Sequence, residues 1–301
     1  MSKMLWMIII LFSVMLLSFG LASVFVAIEV PNAESLTEKV FVDEILEYDV
    51  DSIDSLIATM VTADVRLIPT QDDKIRVHFK GEFYAKDNNT LPEFVIVKNG
   101  GSLRMQLDQP VGNWFFKSIT KDVSLDIYVP ENKSLNLALD TVSGKVDVGL
   151  INVLDCMIDT VSGAVEFNPL SNEGCNIETT SGKIIATNLV STLNNDIESI
   201  SGAIYLNNLT GRVEVDSVSG KIDVSYLFVD GDSDFESISG EVNVKVPNNS
   251  DVVIYADSVS GSVNVNGFNV VKNKDYDLEA EKGNGVNKIF IETISGSITL
   301  V

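Results

Sequence analysis

The chain has 301 residues, 45% of them hydrophobic, and a formal charge of 21 − 43 = −22. That charge repels phosphate backbones, so no nucleic-acid partner is expected; cations, basic peptides or divalent metals are the ligands it would attract. A single histidine, His78, leaves one possible base for a hydrolytic triad. Neither a nucleophile elbow nor a phosphate-cradling glycine loop accompanies it, so an enzyme is not expected, nor any cofactor.

Residues 4–28 (MLWMIIILFSVMLLSFGLASVFVAI) carry no charge over 25 positions, enough to span a bilayer with some tilt. Residues 1–3, with Lys3, form a short cytoplasmic tip, and Glu29, Glu34, Glu38, Asp43 and Glu44 follow on the far side. This asymmetry places the C-terminal bulk outside the membrane. A cleaved signal peptide is the alternative, although its apolar stretch is usually shorter. Both readings export the remainder of the chain and predict a single-pass cell-membrane protein or its processed form. Residues 29–39 read as a polar stalk.

From 40 to 121 the pattern is strand-like without repeating, and it is read as an N-terminal β cap. Ile53, Ile57, Val65–Ile68, Lys74–Phe79, Phe94–Val97 and Leu103–Leu107 mark its strands, and Asn99-Gly100-Gly101 is a hairpin turn signal. Trp114, Phe115 and Phe116 sit together in VGNWFF. They either seal the end of the β structure or form an exposed tip that touches lipid or a partner.

From 122 to 301 the chain repeats itself. DTVSG, DTVSG, ETTSG, ESISG, DSVSG, ESISG, DSVSG and ETISG end on Gly144, Gly163, Gly182, Gly202, Gly220, Gly240, Gly261 and Gly296. The glycines are 18 to 21 residues apart until a last gap of 35. Two and four residues after each glycine, and five before it, the side chain is apolar. Short alternating strands therefore flank a Ser-Gly corner, where glycine is expected to supply an unusual backbone shape and serine to bond local backbone. A unit of about twenty residues cannot bury its own apolar face, but stacked on its neighbours it can. The expected fold is an all-β parallel β-solenoid of about eight coils, with the right-handed connections usual for parallel strands. Residues 266–288 interrupt the last two repeats with a Gly/Asn/Lys-rich loop or hairpin.

The [DE]-[TS]-x-S-G-x-[VI] repeats resemble the bacterial putative-adhesin domains of unknown function found in membrane-anchored envelope proteins. So do ATMVTADVRLIPTQDDKIRVHF (58–79), LDIYVP (125–130) and NKIFIETISGSITL (287–300). The resemblance covers residues 40–301. It implies a non-catalytic, membrane-anchored adhesin or interaction scaffold, whose ligand would be a protein, peptide or polysaccharide.

Two features could carry chemistry. Asp140, Asp159, Glu178, Glu198, Asp216, Glu236, Asp257 and Glu292 share one repeat position. Stacked, they form either a solvated edge diluted by Lys145, Lys183 and Lys221 or a weak Ca²⁺ column with raised pKa values. Cys156 and Cys175 occupy equivalent inward sites in adjacent coils. They read as small buried hydrophobes or as a disulfide, to which directly stacked parallel strands are poorly suited. Besides an adhesin, the acidic balance fits a sensor of envelope stress or cationic peptides. The third class is a carbohydrate-active enzyme, disfavoured because Arg66, Arg76, Arg104 and Arg212 are scattered among coils.

Overall fold

The computed structural model describes residues 38–85, 93–108, 118–169, 171–190, 195–271 and 278–301. The apolar segment 4–28 expected to span a membrane, most of the expected stalk, and Trp114, Phe115 and Phe116 lie outside them. Among the described residues no helix is long and apolar enough to cross a membrane. Phe41–Glu82, Glu93–Asp108 and Thr120–Val301 form one compact unit, which holds the coils. Met1–Val40, Phe83–Pro92 and Gln109–Ile119 form a second, described only at short strand ends.

The described chain is all-β apart from one 3-10 turn at Val50–Ser52. Each repeat contributes one strand to each of two sheets, of 13 and 12 strands, and neighbouring coils pair in parallel. The strand before each Ser-Gly corner, such as Val213–Ser217, joins the larger, acid-bearing sheet. The strand after it, such as Ile222–Phe228, joins the other. Register is direct: Ile177 pairs with Ile197 and Ile197 with Val215, while Ile184 pairs with Ile204 and Ile204 with Ile222. The period-2 alternation turns these residues inward, and one coil alone buries Val213, Val215, Ile222 and Val224. At ~1.5–3 kcal/mol per buried side chain, such columns are what hold the coils together.

The stack begins earlier than the repeats. Ser55–Met60 pairs with Ser134–Thr141 on one sheet, and Asp64–Thr70 pairs with Val146–Val148 on the other. ATMVTADVRL is therefore a complete coil lacking the signature, with buried Ala63 in the glycine position. Ser102–Asp108 stacks on it in parallel, and Glu93–Asn99 closes that edge antiparallel through the Asn99-Gly100 turn, where Gly100 has φ 59°.

At the other end, chain order and stacking order part company. The last repeat does not lie beyond the Gly261 coil. Asn287–Thr293 pairs with Ser233–Ser237 on one side and with Val252–Ser258 on the other. Ile298–Leu300 likewise lies between Val242–Lys245 and Val263–Val265. The 35-residue gap holds the reason. Asn269–Val271 and Leu278–Lys282 form an antiparallel hairpin whose second strand also pairs with Val252–Ala256. That hairpin occupies the outer edge, so the terminal repeat takes the inner one.

Candidate functional site: an in-register acidic ladder

The Ser-Gly corner is the hinge on which the surface columns are aligned. The eight repeat glycines do not have positive φ, so the expected conformational reason is not the operative one. Their reason is close approach. A Cβ on Gly163 would be driven into the carbonyl oxygen of Gly144, on Gly182 into that of Gly163, and on Gly202 into that of Gly182. The residue three before each glycine, always Thr or Ser, is buried. Its hydroxyl accepts the glycine N–H, as at Thr160–Gly163 (2.9 Å), Thr179–Gly182 (2.8 Å) and Ser217–Gly220 (2.9 Å). This satisfies a donor that the corner would otherwise bury. The serine beside the glycine bonds between coils instead: Ser162 donates to the Val142 carbonyl (3.2 Å) and Ser239 to that of Val218 (3.1 Å).

With corners locked one above another, the residue four before each glycine is stacked too. Asp140 pairs with Asp159, Asp159 with Glu178, Glu178 with Glu198, Glu198 with Asp216, and Asp216 with Glu236. Glu236 then meets Glu292, and Glu292 meets Asp257. All eight carboxylates singled out in the sequence thus lie in one column. A second column, two residues further from the corner, runs Asn176, Asp196, Glu214, Asp234. It continues into Phe290 and Tyr255, whose rings stack 5.3 Å apart.

This packing perturbs proton affinity. Burial first, then Glu236 and Glu198 on either side, push Asp216 up to about 8. Burial and then Asp196 and Glu178 raise Glu198 to about 7. Asp159 rises to about 6 through burial, then Glu178 and Asp140. Asp196 rises to about 6 through burial, then Glu214 and Glu178. Among the described residues no cation contributes at any of these four. Lys145, Lys183 and Lys221 do not dilute the ladder, because their corner turns them to the opposite sheet. There Lys145 pairs with Glu166 (2.8 Å) and Asp147 (3.3 Å), Lys221 pairs with Asp223 (2.7 Å), and Lys183 lies over the Tyr205 ring.

A ladder of this kind holds and shares protons and accepts hydrogen bonds along a line. It does not converge on a point: among the described residues no three of His, Cys, Asp and Glu gather as a metal site. His78 Nε2 lies 2.6 Å from Asp43 Oδ1. Arg66 makes a two-pronged pair with buried Asp126 (2.6 and 2.9 Å), and Lys80 lies 3.4 Å from the same carboxylate. Both clusters lie among the coils that precede the repeats, and the separation of their partners in sequence, 35 and 60 residues, hid them from a reading by period. Cys156 and Cys175 are register partners and form a disulfide. The expectation that stacked strands disfavour a bridge is corrected: both side chains point inward at the same level of adjacent coils.

Fold and ladder together define a parallel β-solenoid repeat protein. The chain belongs to the Toastrack DUF4097 family, whose model matches residues 53–301. None of the curated proteins matches it. Among solved structures it is similar to a putative lipid binding protein from Parabacteroides distasonis, at 19% identity and a TM-score of 0.50, covering 86% of this chain and 96% of that one. A putative adhesin from the same organism shares 12% identity at a TM-score of 0.49, covering 87% and 97%. A putative adhesin from Bacteroides fragilis shares 14% at 0.42, covering 88% and 98%. At 19% identity the first of these likenesses is one of fold.

Proposed function

We propose that this protein is a non-catalytic, adhesin-like scaffold held on the outer face of the cell membrane by residues 4–28, and that the acid-bearing sheet is the surface it presents. The observation that carries this reading is the in-register ladder. One sheet concentrates carboxylates over successive coils, whereas the opposite sheet neutralises its own with lysines. A repeating charged face of this kind suits an extended polymer or polypeptide better than a small substrate. The names of the solved neighbours, adhesins and a lipid binding protein, are in keeping with binding and not with turnover.

The test uses the full chain in detergent, immobilised and exposed to solubilised envelope fractions. Retention of a surface protein or polymer, weakened by salt and by Glu178→Gln/Glu214→Gln in the two stacked columns, is the expected result. Equal retention by the doubly substituted chain would discard the ladder as the contact surface, and release of oligosaccharide would place the protein among carbohydrate-active enzymes. The anchoring is tested separately by protease protection in intact cells.

A second reading, capture of cationic peptides in envelope sensing, is favoured by the same stacked carboxylates, because a cation brought among them would offset the burial and repulsion that raise Glu198 and Asp216. It predicts steep loss of basic-peptide binding with ionic strength. A weak Ca²⁺ column remains the least favoured use of the ladder, because no point along it gathers the six to eight oxygens that the ion takes. An unchanged melting temperature between millimolar Ca²⁺ and chelator would remove it.

A further inference from the structure

The terminal repeat sits in a slot between two coils that could have met without it. Gly240 and Gly261 are 21 residues apart, within the spacing of the sequential coils. Val242 and Val263 are both register partners of Ile298, and Glu236 and Asp257 are both partners of Glu292. The slot therefore has two equivalent, complementary walls. Its occupant is the Gly296 repeat, entering through Gly283-Asn284-Gly285-Val286. The two glycines there have φ 70° and 67°, and the turn is pinned where Asn284 N–H donates to Asp251 Oδ1 (2.8 Å).

Inside the slot the repeat buries Ile289, Ile291, Ile298 and Leu300. Ser295 donates to the Ile238 carbonyl (3.3 Å), and Ser260 of the outer coil donates to that of Ile294 (3.0 Å). The element is joined to the preceding chain by one short hinge, and it makes its core contacts with coils that precede the hinge. Those are the conditions under which an identical element from another copy fits equally well, every contact being reproduced and only the hinge changed.

We propose that residues Asn287–Val301 form an exchangeable coil, and that the slot between the Gly240 and Gly261 coils accepts the C-terminal repeat of a second copy of this chain, joining two copies as a swapped dimer. The proposal rests on the topology and not on the adhesin reading, so either can fail alone.

Cysteines in the serine column read it directly. One full-length chain carries Ser239→Cys on the slot wall, and a co-expressed, differently tagged chain carries Ser295→Cys on the inserted repeat. Swapping places these side by side across two chains. A several-fold excess of disulfide-linked heterodimer is expected over a control pair of Ser143→Cys with Ser295→Cys, since Ser143 lies far along the stack. Shortening the hinge by deleting Asn284 and Gly285 should raise the dimer fraction further. A single chain carrying both Ser239→Cys and Ser295→Cys should close internally as a monomer. If it closes while the mixed pair crosslinks no more than the control, exchange is overturned. If it fails to close while Ser239→Cys/Ser260→Cys does, the flanking coils pair directly and the inserted repeat itself is overturned.

Discussion

Replacing Asp216 by Asn tests the ladder at its most perturbed point. The folded protein holds this carboxyl at about 8 against an ordinary 3.8. The folded state therefore binds a proton that the unfolded state has released throughout that interval. Stability from this group is fully present below about pH 4 and is lost as pH rises through about 8. Moving a carboxyl from 3.8 to about 8 corresponds to roughly 6 kcal/mol. Its outer edge meets solvent and salt, which screen the repulsion from Glu236 and Glu198, so roughly a third of that, about 2 kcal/mol, is expected to appear. Asp216→Asn has the shape of the protonated acid and no charge at any pH. It should match the parent near pH 3.5, below the unfolded value, and exceed it by about 2 kcal/mol near pH 9, a gain of about 4 °C in melting temperature. Far-UV circular dichroism melts of the full chain, taken across that range at low and high salt, read the difference. A parallel displacement of the two curves at every pH, or parent stability that rises with pH, would refute the stacked, proton-sharing column.

Gly202→Ala should cost about 3 kcal/mol, because its Cβ meets the Gly182 carbonyl oxygen and two coils must part to admit it; denaturant unfolding measures this. Thr160→Val keeps shape but orphans the Gly163 N–H, for about 2 kcal/mol, whereas Ser162→Ala at the exposed rim should cost under about 1 kcal/mol. Equal losses for the two would contradict the division of labour between the two hydroxyl columns. Mass spectrometry without reductant should find Cys156 and Cys175 linked, and reduction should lower stability by ~3 kcal/mol for a closed loop of 19 residues. Free thiols in the freshly isolated chain would contradict the pairing.

Period and parity made most of the coil legible. Val146, Val165, Ile184, Ile204, Ile222, Val242 and Ile298 are buried as their alternation requires, and the shared repeat position of the acids became a physical column. Composition alone could not have distinguished a scattered charge of −22 from a charge stacked on one sheet. Three things were not legible, each for its own reason. Ala63 fills the glycine position of the first coil, because its carbonyl meets Gly144 while no preceding signature glycine presses on it; the motif search therefore starts one coil late. The role of glycine was misassigned because a close approach to a residue about 20 positions away leaves no mark in local sequence. The order of the last coils was hidden because the Gly261 and Gly296 repeats are equally competent to stack on Gly240, and only the pairing of Leu278–Lys282 with the outer strand decides between them.

The distribution of lysine supplies the last step. Lys145, Lys183 and Lys221 all stand one residue after a repeat glycine, a position the corner assigns to the opposite sheet. There they meet Asp147, Glu166, Asp223 and the Tyr205 ring. The repeat thus places these three lysines on the sheet opposite the ladder. Asp159, Asp196, Glu198 and Asp216 on the other face are perturbed by burial and by one another. Like charges directly opposite on neighbouring strands are destabilising, and a sequence consistent at every other level breaks such a rule where function demands it. Under the function proposed above, a cationic group of the partner would offset the burial and repulsion felt by Glu198 and Asp216, so the partner is to be sought along the ladder and not on the sheet that carries Lys145, Lys183 and Lys221.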